Sequence, residues 1–297
     1  MSLLNTTNDG LPNVLQALCE TLFIAKGGLP EAELMAKVAP EGIVFEKGIM
    51  VRRTLTRWVD HGLFVRDDGR ISLSSYFSSD SFKHADTVLV VRRAVRACAL
   101  AAENNSELWA REGARAADLT RSLCLLLAQD VYRTGFAQLE ERENEQVINA
   151  DLRLVQNDTR VSGLKKWAYF LGFVRLPDGG DIDPTVAVRE SVEEWMLRGQ
   201  TMPTTAFLER LSQSLPVLDG GTYRISVEEK LNRQKLFVPG AGEVSTSLSR
   251  ALLSLRATGE LAFENRSDAE GGVTLAGRDG IRHDLRFTHV TRAEEAV

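Results

Sequence analysis

The pattern of apolar and polar positions is most informative over Phe45–Ser74, FEKGIMVRRTLTRWVDHGLFVRDDGRISLS. Val51, Leu55, Trp58 and Val59 recur at helical spacing and predict one buried face, with Arg53, Thr56, Arg57 and Asp60 opposite. Gly62 stops that helix, because glycine tolerates the left-handed conformation after a last turn. Leu63–Val65 and Arg70–Ser74 then flank Asp67-Asp68-Gly69, a hairpin signal. A helix, a glycine stop and a short hairpin predict the second half of a winged helix-turn-helix.

Upstream, LPNVLQALCETLFIAKGG reads as a first helix with the stripe Val14, Leu15, Leu18, Leu22, Phe23 and the stop Gly27-Gly28. Asn8-Asp9-Gly10 before it is a turn, and Pro30 opens a second helix, EAELMAKV, closed by Pro40. Together these make one module in residues 1–75. Beyond a Ser-rich connector the chain is helical: Thr87–Ala102, then Ala117–Gly135, whose run LCLLLAQDVY is apolar all round and predicts a buried helix. Asn104-Asn105 breaks the first of these. The run LEERENEQ, Leu139–Gln146, reads as a solvated helix face or a loop.

The opening pattern then returns. Val161, Leu164, Ala168 and Leu171 form a stripe ended by Gly172, followed by a strand from Phe173 and a turn at Pro177–Gly180, so that Trp58 aligns near Trp167 and Gly62 near Gly172. Val186–Leu197 and Met202–Leu215 read as helices, Thr201 as a cap and Tyr223–Ser226 as a strand. A third copy spans Ser245–Leu275: Leu248, Ala251, Leu252 and Leu255, the stop Gly259, and a wide hairpin of Leu261–Glu264 with Gly271–Leu275. The tail after Thr291 reads as frayed. The unequal spacing of the glycine stops excludes a solenoid. The expectation is a mainly α chain with small β-hairpin wings, in which tandem winged helix-turn-helix modules (1–75, 143–200, 201–297) are joined by a helical region at 76–142.

Charge alters this picture. With 36 Lys and Arg against 41 Asp and Glu, the net charge is -5, so duplex DNA would be held through local basic faces and not through a whole-surface field. The candidate contacts are Arg52, Arg53, Thr56 and Arg57 on the first helix face with Arg70 in the wing, and Arg160, Lys165 and Lys166 on the second. Arg250, Ser254 and Arg256 lie on the third. Arg and Lys pair with phosphates, and Arg reads guanine edges when a helix enters the major groove.

Catalytic and metal patterns do not emerge. His61, His84, His283 and His289 lack metal-ligand spacing, and His61 stands at a helix end. Val238–Glu243 lacks the Lys-Ser or Lys-Thr of a phosphate loop and reads as the turn before a helix. Asp178, Asp181 and Asp183 miss the spacing of a calcium loop. Cys19, Cys98 and Cys124 read as buried thiols. No cofactor or metal is expected. Neither a signal peptide nor a membrane-spanning run is evident, which predicts a soluble cytoplasmic chain.

The phrases NTTNDGLPNVLQALC near the start and NDTRVSGLKKWAYFLGF in the middle resemble DpdG-type proteins, encoded in bacterial 7-deazaguanine DNA-modification and defence gene clusters. The resemblance covers most of the chain. It implies an accessory role in a system that modifies DNA and restricts foreign DNA, and it transfers no catalytic residue. The expected protein is therefore non-enzymatic, with double-stranded DNA and subunits of a defence or modification complex as partners, a homodimer as a further possibility, and no membrane. Two other readings are a winged-helix transcriptional regulator, which predicts a symmetric dimer with recognition helices about 34 Å apart, and an interaction subunit of a condensin-like ATPase complex.

Overall fold

A computed structural model describes residues 3–4, 12–40, 48–78, 86–110, 115–175, 180–278 and 280–294, the side chains of 280–284 excepted. The expected turns at Asn8–Gly10 and Pro177–Gly179, the helix start at Phe45–Lys47, Asp178 and His84 lie outside the described residues.

In chain order the helices are α1 (Pro12–Ala25), α2 (Glu31–Val38), α3 (Ile49–Asp60), α4 (Thr87–Leu100), α5 (Ala102–Asn105), α6 (Ala117–Leu127), α7 (Leu139–Gln146), α8 (Asp158–Phe170), α9 (Thr185–Trp195), α10 (Thr204–Ser214), α11 (Thr222–Glu228) and α12 (Thr246–Ala257). The strands are β1 (Leu29–Pro30), β2 (Phe64–Asp67), β3 (Arg70–Leu73), β4 (Val174–Arg175), β5 (Asp181–Ile182), β6 (Thr201–Pro203), β7 (Leu261–Glu264), β8 (Val273–Gly277), β9 (Gly280–Phe287) and β10 (His289–Arg292). They pair antiparallel in the orders β1-β3-β2, β4-β5, β6-β10-β7 and β8-β9. The chain is thus mainly α with small antiparallel sheets. Among the described residues no helix is long and apolar enough to cross a membrane.

Two compact units result: Met1–Leu119 with Asp158–Leu171, and Thr120–Asn157 with Gly172–Val297. Helix α8 belongs to the first and the β4–β5 hairpin to the second, although the sequence pattern groups them in one module.

In the first unit, α1 packs on α2, α3, α4 and α8. Leu15, Leu18 and Leu22 meet Leu34, Leu55, Trp58, Val91, Val95 and Leu164 in its buried core. Strand β1 holds Leu29 opposite Ile71, a pairing invisible in a two-residue segment. Gly28 turns into it at φ +83, where a Cβ would stand 2.6 Å from the Ile71 carbonyl oxygen. Trp167 reaches Trp58, ring centroids 5.4 Å apart, and Arg96 is buried and donates from Nη1 to the Leu171 carbonyl at 3.0 Å. The buried Asp118 accepts the backbone N–H groups of Leu3 (3.1 Å) and Leu4 (2.7 Å).

In the second unit, α12 packs on α9, β7 and β8, with Leu248, Ala251, Leu252 and Leu255 buried as their spacing predicts. Residues 120–127 of α6, the part of that helix in this unit, are buried throughout. Carbonyls at and just beyond its C-terminal end accept from the start of α12: Ser247 donates to Leu127 O (2.8 Å) and Thr246 to Gln129 O (3.1 Å).

Several local expectations are corrected. Residues 223–226 lie in α11, where Arg224 and Val227 are buried three apart and Ile225 is exposed, a helical period that the β-prone letters conceal. Leu261–Glu264 pairs with β10 and Val273–Gly277 with β9, so the wide hairpin does not form; His289–Arg292, assigned to no element in advance, supplies the missing partner. Thr201 opens strand β6 instead of capping a helix, its hydroxyl 2.8 Å from that of Thr291. Arg292, the first residue of the expected frayed tail, is instead paired with Leu261 in β10.

The charged run of α7 is not uniformly solvated. Leu139, Glu143 and Gln146 face inward. Glu143, 2% exposed, accepts from Leu154 N and Val155 N (2.7 Å each) and from Gln156 Nε2 (2.8 Å).

Candidate nucleic-acid interface

Helix α3 begins after Gly48, held at φ +71, and buries Val51, Thr54, Leu55, Arg57 and Trp58. Thr54 returns its hydroxyl to the Met50 carbonyl at 2.8 Å, which satisfies it on the inner side of the helix. Arg52, Arg53 and Thr56 are exposed. Positions i, i+1 and i+4 share one side of a helix, so these three form a polar strip about one turn long.

The C-terminal end of α3 is fixed firmly. Gly62 adopts φ +84, Gly62 N donates to Val59 O (2.9 Å) and Leu63 N to Trp58 O (2.9 Å), the paired bonds of a glycine-terminated helix. The His61 carbonyl accepts from Cys98 Sγ (3.2 Å) and Asn104 Nδ2 (2.9 Å), while its ring Nδ1 lies 2.7 Å from Arg57 O. Burial lowers the His61 pKa, against an opposing pull from its backbone hydrogen bonds. His61 is therefore a helix-end residue, as its position predicts. Asn104, read only as a helix breaker, is one of its anchors.

The hairpin following α3 places Phe64 opposite Leu73, Val65 opposite Ser72 and Asp67 opposite Arg70. Asp68 (φ 43) and Gly69 (φ 72) are both left-handed, the tight turn that the Asp-Gly pair favours. Glu31 N donates to Gly69 O at 2.9 Å and the Arg66 guanidinium meets Glu31 at 3.2 Å, so the turn is tied to the start of α2. Arg70 is exposed and donates from Nη2 to Gly28 O at 2.9 Å, which anchors one edge of its guanidinium to the approach to β1.

The structure separates the proposed contacts. Arg52, Arg53, Thr56 and Arg70 are exposed in the first unit, but Arg57 is only 4% exposed. Its assignment to the polar face is corrected: one residue from Trp58 and three from Thr54, it lies on the inward side. On α8, Lys166 is exposed and Arg160 and Lys165 are half-buried. In the second unit, Arg250 is committed internally, donating to Ile182 O (2.8 Å) with its guanidinium 4.6 Å above the Tyr132 ring, and Ser254 is half-buried. Arg256 is exposed, 6.0 Å from the Phe263 ring centroid.

Other chemistry is sparse. The three cysteines are buried and free, and burial first, then the nearby Glu103, pushes the Cys98 thiol up to about 12, away from reactive thiolate character. Among the described residues no group of three or more His, Cys, Asp or Glu side chains is arranged to hold a metal ion.

No curated protein and no solved structure matches the chain. The model of the DpdG-like family matches residues 1–269, and the chain therefore belongs to that family.

Proposed function

We propose that this chain is a non-enzymatic accessory protein of a DNA-modification and anti-phage defence system, and that its first unit engages duplex DNA in the winged-helix manner. The DpdG-like membership supports a role in the dpd modification cluster. In this reading α3 is the recognition helix and β2–β3 the wing. The observation that carries it is the exposed strip Arg52, Arg53 and Thr56 on a helix whose opposite side is buried and whose end is locked at His61. Arg70 on the hairpin supplies a flanking phosphate contact.

The test is binding of the full chain to modified and unmodified duplexes over a salt titration, with Arg52→Ala/Arg53→Ala beside the wild type. Each lost phosphate contact lowers the magnitude of the log–log salt slope by about 0.9, so loss of two lowers it by about 1.8. Wild-type binding with an unchanged slope in the double variant would remove α3 from the interface. No binding even at low salt would refute direct contact. The net charge of -5 favours a second reading for that outcome, in which the same surface docks a protein subunit.

A further inference from the structure

The second unit contains a cavity of about 100 Å³ lined by Arg189, Glu193, Arg198, Leu255, Glu260 and Arg292. Its three guanidiniums come from separate places in the chain, α9, the loop after it and β10, and each is held from one side. Arg189 donates from Nε and Nη2 to Glu260 at 2.6 and 2.8 Å. Arg292 donates from Nη1 to the Met196 carbonyl at the end of α9 (2.5 Å), and Arg198 from Nη1 to the Glu294 carbonyl (2.8 Å). Among the described residues these hydrogen bonds, with a longer one from Arg292 Nη1 to Glu193 O (3.5 Å), leave Nη1 of Arg189 and both Nε and Nη2 of Arg198 and Arg292 to other partners.

Charge points the same way. Glu260 is bound by Arg189 and also accepts from the Thr258 hydroxyl at 2.7 Å, and Glu193, the second lining carboxylate, acts on Arg189 as well. Three guanidiniums against the two lining carboxylates leave one net positive charge around the space, which a bound anion offsets. A single guanidinium fork satisfies a planar carboxylate, whereas donors from three elements suit a tetrahedral oxyanion.

We propose that this cavity is a binding site for the phosphate group of a small phosphomonoester. The donors are already fixed by protein contacts, so binding requires little reordering of side chains. The site lies in the second unit and does not depend on DNA contact by α3.

The experiment is calorimetric titration of the full chain at low ionic strength with inorganic phosphate, with a simple phosphomonoester such as glycerol phosphate, and with acetate. Arg198→Ala and Arg198→Lys are run in parallel. Arg198 is exposed and, among the described residues, is bonded to the Glu294 carbonyl, so its replacement leaves the fold intact, which circular dichroism verifies. The expected result is saturable phosphate and phosphomonoester binding, weaker uptake of acetate, and a loss of about tenfold in Arg198→Ala, the worth of one charge-assisted hydrogen bond, partly recovered in Arg198→Lys. Absence of phosphate binding at millimolar concentration would overturn the proposal. So would equal affinity in Arg198→Ala, or acetate binding as tight as phosphate.

Discussion

Replacing Glu143 tests how much the second unit depends on a single buried carboxylate. Glu143→Ala removes the acceptor for Leu154 N, Val155 N and Gln156 Nε2. Gln156 is exposed, so water replaces its lost partner at small cost. Val155 is fully buried and Leu154 half-buried. A stranded buried donor costs about 1–3 kcal/mol; counting Val155 in full and Leu154 at about half gives roughly 2–4 kcal/mol. Glu143→Gln keeps one acceptor oxygen but turns an NH₂ toward the other donor, so its cost is about half as large. The assay is urea unfolding followed by far-ultraviolet circular dichroism, with hydrogen exchange at the Leu154 and Val155 amides as the local readout. Loss of protection at both amides, with Ala worse than Gln, is the expected pattern. Unchanged protection and a shift below about 0.5 kcal/mol would show that these bonds are replaced at once by water, and would refute the reasoning.

Three further outcomes follow from the first unit. Gly28→Ala forces a side chain onto a backbone at φ +83 with its Cβ 2.6 Å from Ile71 O, and should cost about 1–3 kcal/mol in urea unfolding; an unchanged midpoint would show that β1 shifts freely. Trp167→Ala should cost about 3–5 kcal/mol and red-shift the emission of Trp58, whose ring it covers; an unshifted spectrum would argue against that cover. Burial holds the folded His61 pKa below its ordinary value, so its contribution to stability is present above about pH 6.5 and is lost as pH falls toward the folded value. Melting temperature should therefore drop more steeply on acidification in the wild type than in His61→Asn, and equal slopes would rule that origin out.

What the sequence makes legible is local. The spacing of Val51, Leu55 and Trp58, the stop at Gly62 and the Asp68-Gly69 turn each carry their own conformational reason, and the structure places all of them as read. What it hides depends on distant partners. Leu29–Pro30 becomes a strand only because Ile71 lies opposite, and Leu261–Glu264 joins β10 because His289–Arg292 fits between it and β6. Arg57 and Glu143 are charged letters inside charged runs, and residue type alone places them in water; packing and backbone partners decide otherwise. For the candidate interface, the strip Arg52, Arg53 and Thr56 was readable from helical spacing. The anchors of its far end, Cys98 and Asn104, come from about forty residues downstream and leave no local mark.

The interleaving of the two units constrains how the chain can be made and cut. Helix α8, with Trp167 against Trp58, is the last piece of the first unit to leave the ribosome, and residues 120–157 of the second precede it. During synthesis the first unit stays unfinished until Leu171 has emerged, so its N-terminal helices wait with an apolar face exposed. A fragment ending at Leu119 lacks that final helix. For expression of the first unit alone, a circular permutation or a short linker replacing 120–157 is the sounder design than a simple truncation.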